Sequence, residues 1–282
     1  MKRRTLGALL GALLLWGGAA AAAPPTPGQT LSLGLLPMFP SVEMQRRWGP
    51  VAQWLEASCQ VGIRLVFSPA IPAFEQGFLK GRFDLAFLNP YHAVMASQAQ
   101  AYTPLVRDGQ SPLKGILVVK ASSPARQLRD LDGARIAFPA PNALAGSLLM
   151  RALLEREHGL RFTPVFSQTH TNGYRQVLTG DVAAAGGVMA TLRGEDRDVQ
   201  EQLRVLYETP GVAPHPLVAH PRVSEAVRRC ITATMTRPNH PEATTALLSE
   251  IQMPQPVAAD YARDYRPLEK LGLDTYASQT QR

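Results

Sequence analysis

Residues 137–154, with the sequence AFPAPNALAGSLLMRALL, combine a strand end, a proline-rich turn and the start of a helix. The first amides of a helix have no intrahelical partner and the helix dipole is positive there, so such junctions often hold anions. In this turn Ala143, Leu144, Ala145 and Gly146 stand where a binding loop would normally carry hydroxyl groups. Two interpretations stay open: an anion site built from backbone groups, or a turn without a ligand.

A second junction of this kind follows the apolar run at residues 83–88. Asn89, Pro90 and Tyr91 come next, and proline suits the first turn of a helix because its missing N–H costs nothing there. Ligands of open α/β sheets bind at the carboxyl edge of the strands, so Asn89 and Tyr91 are candidate cleft residues. Asn89 could also cap the helix, and Tyr91 could instead pack beneath the sheet.

His170 stands in a turn after another predicted strand and is a third candidate for ligand contact, with a surface histidine as the alternative. The helical spacing of the tryptophans predicts core positions. The remaining candidates are expected to be structural or exposed: Trp48, Trp54, His92 and Asp84 structural, His215 and His220 exposed in a crossing segment or loop.

Motifs of the common enzyme classes are missing from the sequence. It contains no Gly-x-Ser-x-Gly elbow, no glycine loop with a phosphate-binding lysine and no carboxylate pair at a useful spacing. CxxC and HExxH spacings are also missing. We therefore predict a protein that is not an enzyme and uses neither a metal nor a cofactor.

The N-terminus predicts export. Three basic residues at 2–4 precede an apolar run at 6–16 and a small-residue tract at 17–23, the layout of a signal peptide. The run is shorter than the roughly 20 residues that span a bilayer. We expect cleavage near residue 23 and a soluble periplasmic chain, in which Cys59 and Cys230 form either one disulfide or two buried thiols.

Charge gives only weak information about partners. Without the leader the formal net charge falls from +7 to about +4. The remaining basic residues are scattered and have little aromatic interleaving, so a nucleic-acid surface is not expected. A mildly positive surface suits a small anionic ligand.

Apolar periodicity divides the rest of the chain into two α/β units and a return segment. Lobe I is predicted to begin with residues 29–110, a β-α-β-α-β run that implies a parallel sheet with helices on its faces. Lobe II is predicted at residues 111–212. Residues 213–282, predicted to be helical and without strands, return to lobe I, and residues 210–218 are predicted to be only a crossing segment.

Four segments in this order resemble the periplasmic solute-binding proteins of the phosphate/phosphite/phosphonate ABC importer family, which are PhnD-like. They are GLLP at 34–37, GRFDLAFLNPY at 81–91, SP at 123–124 followed by LRDLDG at 128–133, and VLTGDV at 177–182. The match extends over residues 31–217. It implies an α/β, type II-like fold of two lobes, each a mixed or parallel sheet flanked by helices, which close over a ligand in the cleft between them.

The resemblance also assigns site residues. The family's Ser-Thr-Ser-Gly oxyanion loop falls on residues 143–146, of which only the glycine is kept. Its histidine falls on His170, beside Thr169, and an aromatic residue of its first loop falls on Phe39. A family aspartate falls on Ala183. Each lost hydroxyl contact to a charged ligand is worth roughly 1.5–3 kcal/mol, so the family's ligand does not transfer directly.

The resemblance implies a monomeric solute-binding protein of an ABC importer that captures a small oxyanion or organic anion and delivers it to a membrane permease. The alternative is a ligand-sensing periplasmic protein that acts in trans on a sensor kinase or redox system. The sequence leaves the identity of the ligand open.

Overall fold

The computed structural model describes residues 30–277, so the leader expected at residues 1–23 lies outside the described residues. Within that range no helix has the length and apolar character needed to cross a membrane. The described strands form two separate sheets, and the chain passes between them twice.

The elements alternate through most of the chain. The strands are β1 Thr30–Leu35, β2 Gly62–Phe67, β3 Leu85–Phe87, β4 Thr103–Asp108, β5 Gly115–Lys120, β6 Arg135–Phe138, β7 Thr163–Phe166, β8 Ala184–Val188, β9 Leu203–Glu208, β10 Leu217–Ala219 and β11 Pro256–Ala258. The helices are α1 Ser41–Cys59, α2 Ile71–Leu79, α3 Pro90–Gln100, α4 Leu149–Arg156, α5 His170–Thr179, α6 Met189–Arg193, α7 Arg197–Glu201, α8 Glu225–Met235, α9 Glu242–Glu250 and α10 Asp274–Ala277.

The sheet of lobe I has six strands in the order β11-β4-β10-β3-β1-β2. β1 is parallel to β2 and β3, whereas β10 is antiparallel to β3 and β4. The expectation that the return segment carries no strand is therefore wrong. Leu217 of β10 pairs with Phe87 on one side and Val106 on the other. The strand was missed because it has three residues and directly follows a proline-rich run.

The sheet of lobe II has five strands in the order β7-β6-β8-β5-β9. β6 is parallel to β7 and β8, and β5 is antiparallel to β8 and β9. Both sheets are mixed and carry helices on their faces. The predicted α/β fold of two lobes, each a mixed sheet flanked by helices, is confirmed.

The apolar face of α1 and the strands beneath it form the core of lobe I. Trp48 is 2 % exposed and its ring lies 4.9 Å from that of Phe87, so its predicted core position is confirmed. Trp54 is partly buried and packs edge-on against His240. Burying an aromatic side chain of this size stabilises a fold by about 1.5–3 kcal/mol.

Asp84 joins three segments of lobe I. Its Oδ2 accepts hydrogen bonds from the backbone N–H and the hydroxyl of Ser32 at 2.8 and 2.7 Å, and its Oδ1 pairs with Arg222. The predicted structural role is confirmed. His220, two residues before that arginine, is partly buried with its ring edge against Tyr102, so its expected exposure is wrong.

A disulfide connects Cys59 at the end of α1 to Cys230 in α8, with the two Cα atoms 5.8 Å apart. It ties the return segment to the first helix of lobe I across a sequence separation of 171 residues.

Replacing both cysteines in a C59S/C230S variant is expected to lower the free energy of unfolding by about 2–5 kcal/mol, because the unfolded chain regains the entropy of a long loop. Urea titration followed by circular dichroism measures the change. Wild type in dithiothreitol serves as the control and should lose a similar amount. A loss below about 1 kcal/mol in both cases would contradict a stabilising role.

Candidate functional site

The predicted anion loop lies at the end of β6, where the chain enters a π-helical turn, Leu144–Leu148, that continues into α4. The amides of Ser147 and Leu148 both donate to the carbonyl of Ala143, at 2.9 and 3.0 Å. The amides of Leu144, Ala145 and Gly146 have no intrahelical acceptor, as at any helix start. The junction is therefore built as a backbone anion site would be.

Two glycines on the sheet allow this loop to lie directly on lobe II. A Cβ atom at Gly115 of β5 would overlap the carbonyl oxygen of Ala145, and one at Gly186 of β8 would overlap that of Gly146. All five residues of β8 are buried, and the candidate loop packs against this strand.

A buried arginine forms hydrogen bonds on both sides of the loop. Arg151 of α4 is 2 % exposed and donates to the carbonyl of Pro141 at 2.7 Å and to Ser147 Oγ at 3.3 Å. Burial lowers the pKa of this guanidinium to about 10, which still leaves it charged at neutral pH. It fixes both ends of the loop, and sequence reasoning missed it because a basic residue in a helix normally faces solvent.

Two side chains of the loop are buried inside the protein. Leu144 and Ala145 are 2 % and 3 % exposed, and Leu144 packs into the hydrophobic core that is otherwise formed largely by lobe I. Leu144 therefore helps to hold the two lobes together, while contact of the loop amides with a ligand stays a prediction.

Asn89 connects the lobes directly. Its Oδ1 accepts from the backbone N–H of His92 at 2.7 Å, so the predicted capping of α3 is confirmed. Its Nδ2 donates across the cleft to the carbonyl of Asn142 at 3.0 Å. One side chain therefore both starts a helix in lobe I and holds the anion loop of lobe II.

A carboxylate that the sequence did not single out lies beside this contact. Glu75 of α2 accepts at Oε1 from His92 Nε2 and from Asn142 Nδ2, both at 2.9 Å. Burial raises the pKa of Glu75, but the hydrogen bonds from His92 and Asn142 lower it more, so the net shift is downward and the group is ionised at neutral pH. His92 is fully buried, which agrees with its predicted structural role.

His170 is the first residue of α5, not part of a turn as expected. A Cβ atom at Gly146 would lie 3.1 Å from its Cε1, so the ring stands against the candidate loop. Its Nδ1 is buried and has no hydrogen-bond partner within residues 30–277. Burial lowers the pKa of His170 to about 4, which keeps the imidazole neutral at pH 7.

The other predicted site residues are spread over both lobes. Thr169 is exposed and its hydroxyl accepts from the N–H of Asn172 at 3.1 Å, capping α5. Tyr91 is 8 % exposed; burial, and after it the charges of Asp274 and Glu75, raise its pKa. Phe39 is partly buried, with the guanidinium of Arg47 4.3 Å from its ring centre. Their contact with a ligand stays a prediction.

His215 was expected to be exposed, and that expectation is wrong. It is partly buried, and its ring stacks on that of Phe87 with the ring centres 5.5 Å apart. The crossing segment therefore packs against lobe I before β10 begins. Burial, and then the nearby His92 and His170, lower its pKa to about 3. Three histidines thus converge on the cleft, although no group of three metal-ligating side chains is placed for a metal ion within residues 30–277.

An open cavity of about 450 Å³ lies beside the two crossing segments, and none of the predicted site residues lines it. Its charged groups are already paired: Arg107 and Arg263 both contact Asp264, and Asp108 accepts from the backbone N–H of Ser111. Two buried polar atoms without a partner within residues 30–277, Nδ1 of His170 and Oδ1 of Asn142, lie at or beside the candidate loop and favour that region instead.

Two mixed α/β sheets, two crossings and a helix start that faces the junction of the lobes define a periplasmic binding protein. The family described as "ABC transporter, phosphonate, periplasmic substrate-binding protein" matches residues 33–265, and the chain belongs to it. Members of this family are periplasmic proteins that bind small phosphonate ligands and work with ABC transporters.

Solved structures support the same fold. PhnD1 from Prochlorococcus marinus, in complex with methylphosphonate, has a TM-score of 0.78 at 17 % identity, covering 88 % of this chain and 99 % of that one. A binding protein component of an ABC phosphonate transporter from Pseudomonas aeruginosa has a TM-score of 0.75 at 15 % identity, covering 90 % and 88 %.

A curated relative is the phosphate-import protein PhnD of Mycolicibacterium smegmatis, 21 % identical over 180 residues. The alignment covers 55 % of this chain and spans about half the length, 54 %, of that relative.

The two roles of Asn89 can be separated. Asn89→Asp keeps the capping oxygen but loses the donor to the Asn142 carbonyl, so we expect the lobes to open and the radius of gyration to rise in small-angle scattering. Asn89→Ala should also lose the cap, about 1 kcal/mol of unfolding free energy. Asn172→Asp, which alters an amide within lobe II, is the control and should leave the radius unchanged. An unchanged radius in Asn89→Asp would contradict the inter-lobe role.

Stability should fall as the pH falls from about 7 to about 5. His170 and His215 have folded pKa values of about 4 and about 3, below the roughly 6.5 of an unfolded histidine. The unfolded chain therefore takes up protons first, which costs about 1–2 kcal/mol per histidine over this range.

Urea titrations at the two pH values measure this loss. We expect a His170→Gln/His215→Gln variant to show a much smaller difference than wild type, while His158→Gln, at an exposed histidine, keeps the full difference. A double variant with the wild-type difference would contradict the assignment.

Proposed function

We propose that this chain is the solute-binding component of an ABC importer, which captures a small oxyanion or organic anion in its cleft and delivers it to a membrane permease. Capture occurs by closure of the lobes, and the protein performs no chemical reaction on its ligand. The leader at residues 1–23 directs export, and the mature protein works as a monomer.

The proposal is carried by the placement of His170 against Gly146 at the start of the helix. A neutral imidazole keeps one N–H donor, and three loop amides add donors aligned with the positive end of the helix dipole. Hydrogen bonds from such groups to an ionised oxygen are worth roughly 1.5–3 kcal/mol each. A site of this kind needs no hydroxyl side chains.

Apolar residues replace the hydroxyl residues of the family's loop in this chain. This difference favours a ligand other than the ligands of the family's better-known members. Ala143, Leu144 and Ala145 provide no hydroxyls, and Ala183 provides no carboxylate. The loop amides alone are expected to bind a tetrahedral anion more weakly, so remaining affinity must come from other parts of the cleft. The family match favours transport over sensing in trans.

A thermal-shift screen tests the proposal. Phosphate, phosphite, methylphosphonate, sulfate and acetate are each added in excess, and at least one should raise the melting temperature, because a ligand at 100 times its Kd stabilises by about 2.7 kcal/mol. His170→Ala should abolish that shift by removing a contact in the cleft.

His158→Ala is the matched control, since this histidine is exposed in the same lobe and contacts Tyr207 instead of the loop. It should keep the full shift. The proposal is wrong if no anion stabilises the protein while a neutral or cationic solute does.

A further inference from the structure

The polar atoms of the cleft do not match an anion that only accepts hydrogen bonds. The loop amides and His170 supply donors. Beside that loop, however, lie two acceptors: the ionised carboxylate of Glu75 in α2 of lobe I, and the side-chain oxygen of Asn142, the residue that precedes the loop in lobe II.

The orientation of the Asn142 amide follows from its neighbour. Its Nδ2 donates to Glu75 Oε1, and the opposite orientation would place an oxygen against a carboxylate. Oδ1 is therefore the remaining atom, and it is buried without a hydrogen-bond partner within residues 30–277. Buried polar atoms nearly always have a hydrogen-bond partner. A donor for this oxygen must therefore come from outside the described residues.

Two hydrogen bonds hold the carboxylate of Glu75 beside the side chain of Asn142. Its Oε1 already accepts from fully buried His92 and from Asn142, and these two bonds fix the carboxylate at the boundary between the lobes. The side chain of Glu75 is only 12 % exposed, so its charge is poorly screened. An anion that lacks a proton would meet both an unmatched acceptor and a like charge.

We propose that Glu75 and Asn142 make the cleft selective for an anion that also carries an N–H or O–H donor over an anion of the same shape without one. Such a ligand is a protonated oxyanion or a zwitterion. This inference rests on the proposed function. It assigns a ligand contact to α2, where neither the motifs nor the resemblance placed one.

The electrostatic surroundings agree with this assignment. The charge of Glu75 contributes, after burial and the charge of Asp274, to the raised pKa of Tyr91, and both residues belong to lobe I. The family aspartate that the resemblance aligns with position 183 is an alanine here. Glu75 restores a negative charge to the cleft, from the opposite lobe.

Two matched ligand pairs test the proposal by isothermal titration calorimetry. Methylphosphonate at mildly acidic pH carries a P–OH that methanesulfonate lacks, and 2-aminoethanesulfonate carries an ammonium that ethanesulfonate lacks. Wild type should prefer the donor-bearing member of at least one pair by about tenfold or more, the effect of one hydrogen bond to a charged group. The pair that responds tells an O–H donor from an N–H donor.

Glu75→Gln keeps the shape of the side chain and removes its charge. We expect the preference to fall to about threefold or less, mainly through tighter binding of the member without a donor. Glu201→Gln, at an exposed carboxylate paired with Arg197, is the control and should keep the wild-type ratio.

Asn142→Ala removes the unpartnered oxygen from a loop position and should also reduce the preference, so the test survives if Glu75→Gln folds poorly. If both members of each pair bind wild type equally, or if both variants keep the full preference, the selectivity is refuted while the proposed function stands. If no anion binds wild type at all, the proposed function fails and the selectivity fails with it.

Discussion

The pairing of β10 with both β3 and β4 is the constraint on which the rest of the architecture depends. Because the returning chain forms an inner strand of the lobe I sheet, it must cross from lobe II at the edge where β3 ends. That path carries His215 onto Phe87 and brings the carbonyl of Pro216 within 3.0 Å of the N–H of Leu88. The cleft wall is thus made from two chain segments about 130 residues apart.

The contact between the lobes is polar at its centre and apolar beside it. Asn89 and Glu75 of lobe I both reach Asn142, while Leu144 packs into the core of the opposite lobe. The loop and the residue before it therefore contact the other lobe through both polar and apolar groups.

The sequence was informative wherever function depends on local geometry. The helix start at residues 144–146 and the cap at Asn89 both follow from short-range patterns, and the structure contains each of them. Glu75 could not be found in this way, because it is one polar position in a short helix, and only the tertiary fold brings it to His92 and Asn142. His215 was misplaced for a related reason: its neighbouring prolines indicate a loop but not where the loop runs.

The connectivity of the two sheets has a consequence for the order of assembly. All five strands of lobe II are contiguous in the chain, so this lobe has its whole sheet once β9 has been made. The sheet of lobe I is complete only after β10 and β11, which follow lobe II in the chain. Its disulfide also needs the second cysteine, Cys230. A chain that emerges from its N-terminus therefore completes its second half first. Until then the first half exposes the edges of β3 and β4, which are open to pairing with other chains.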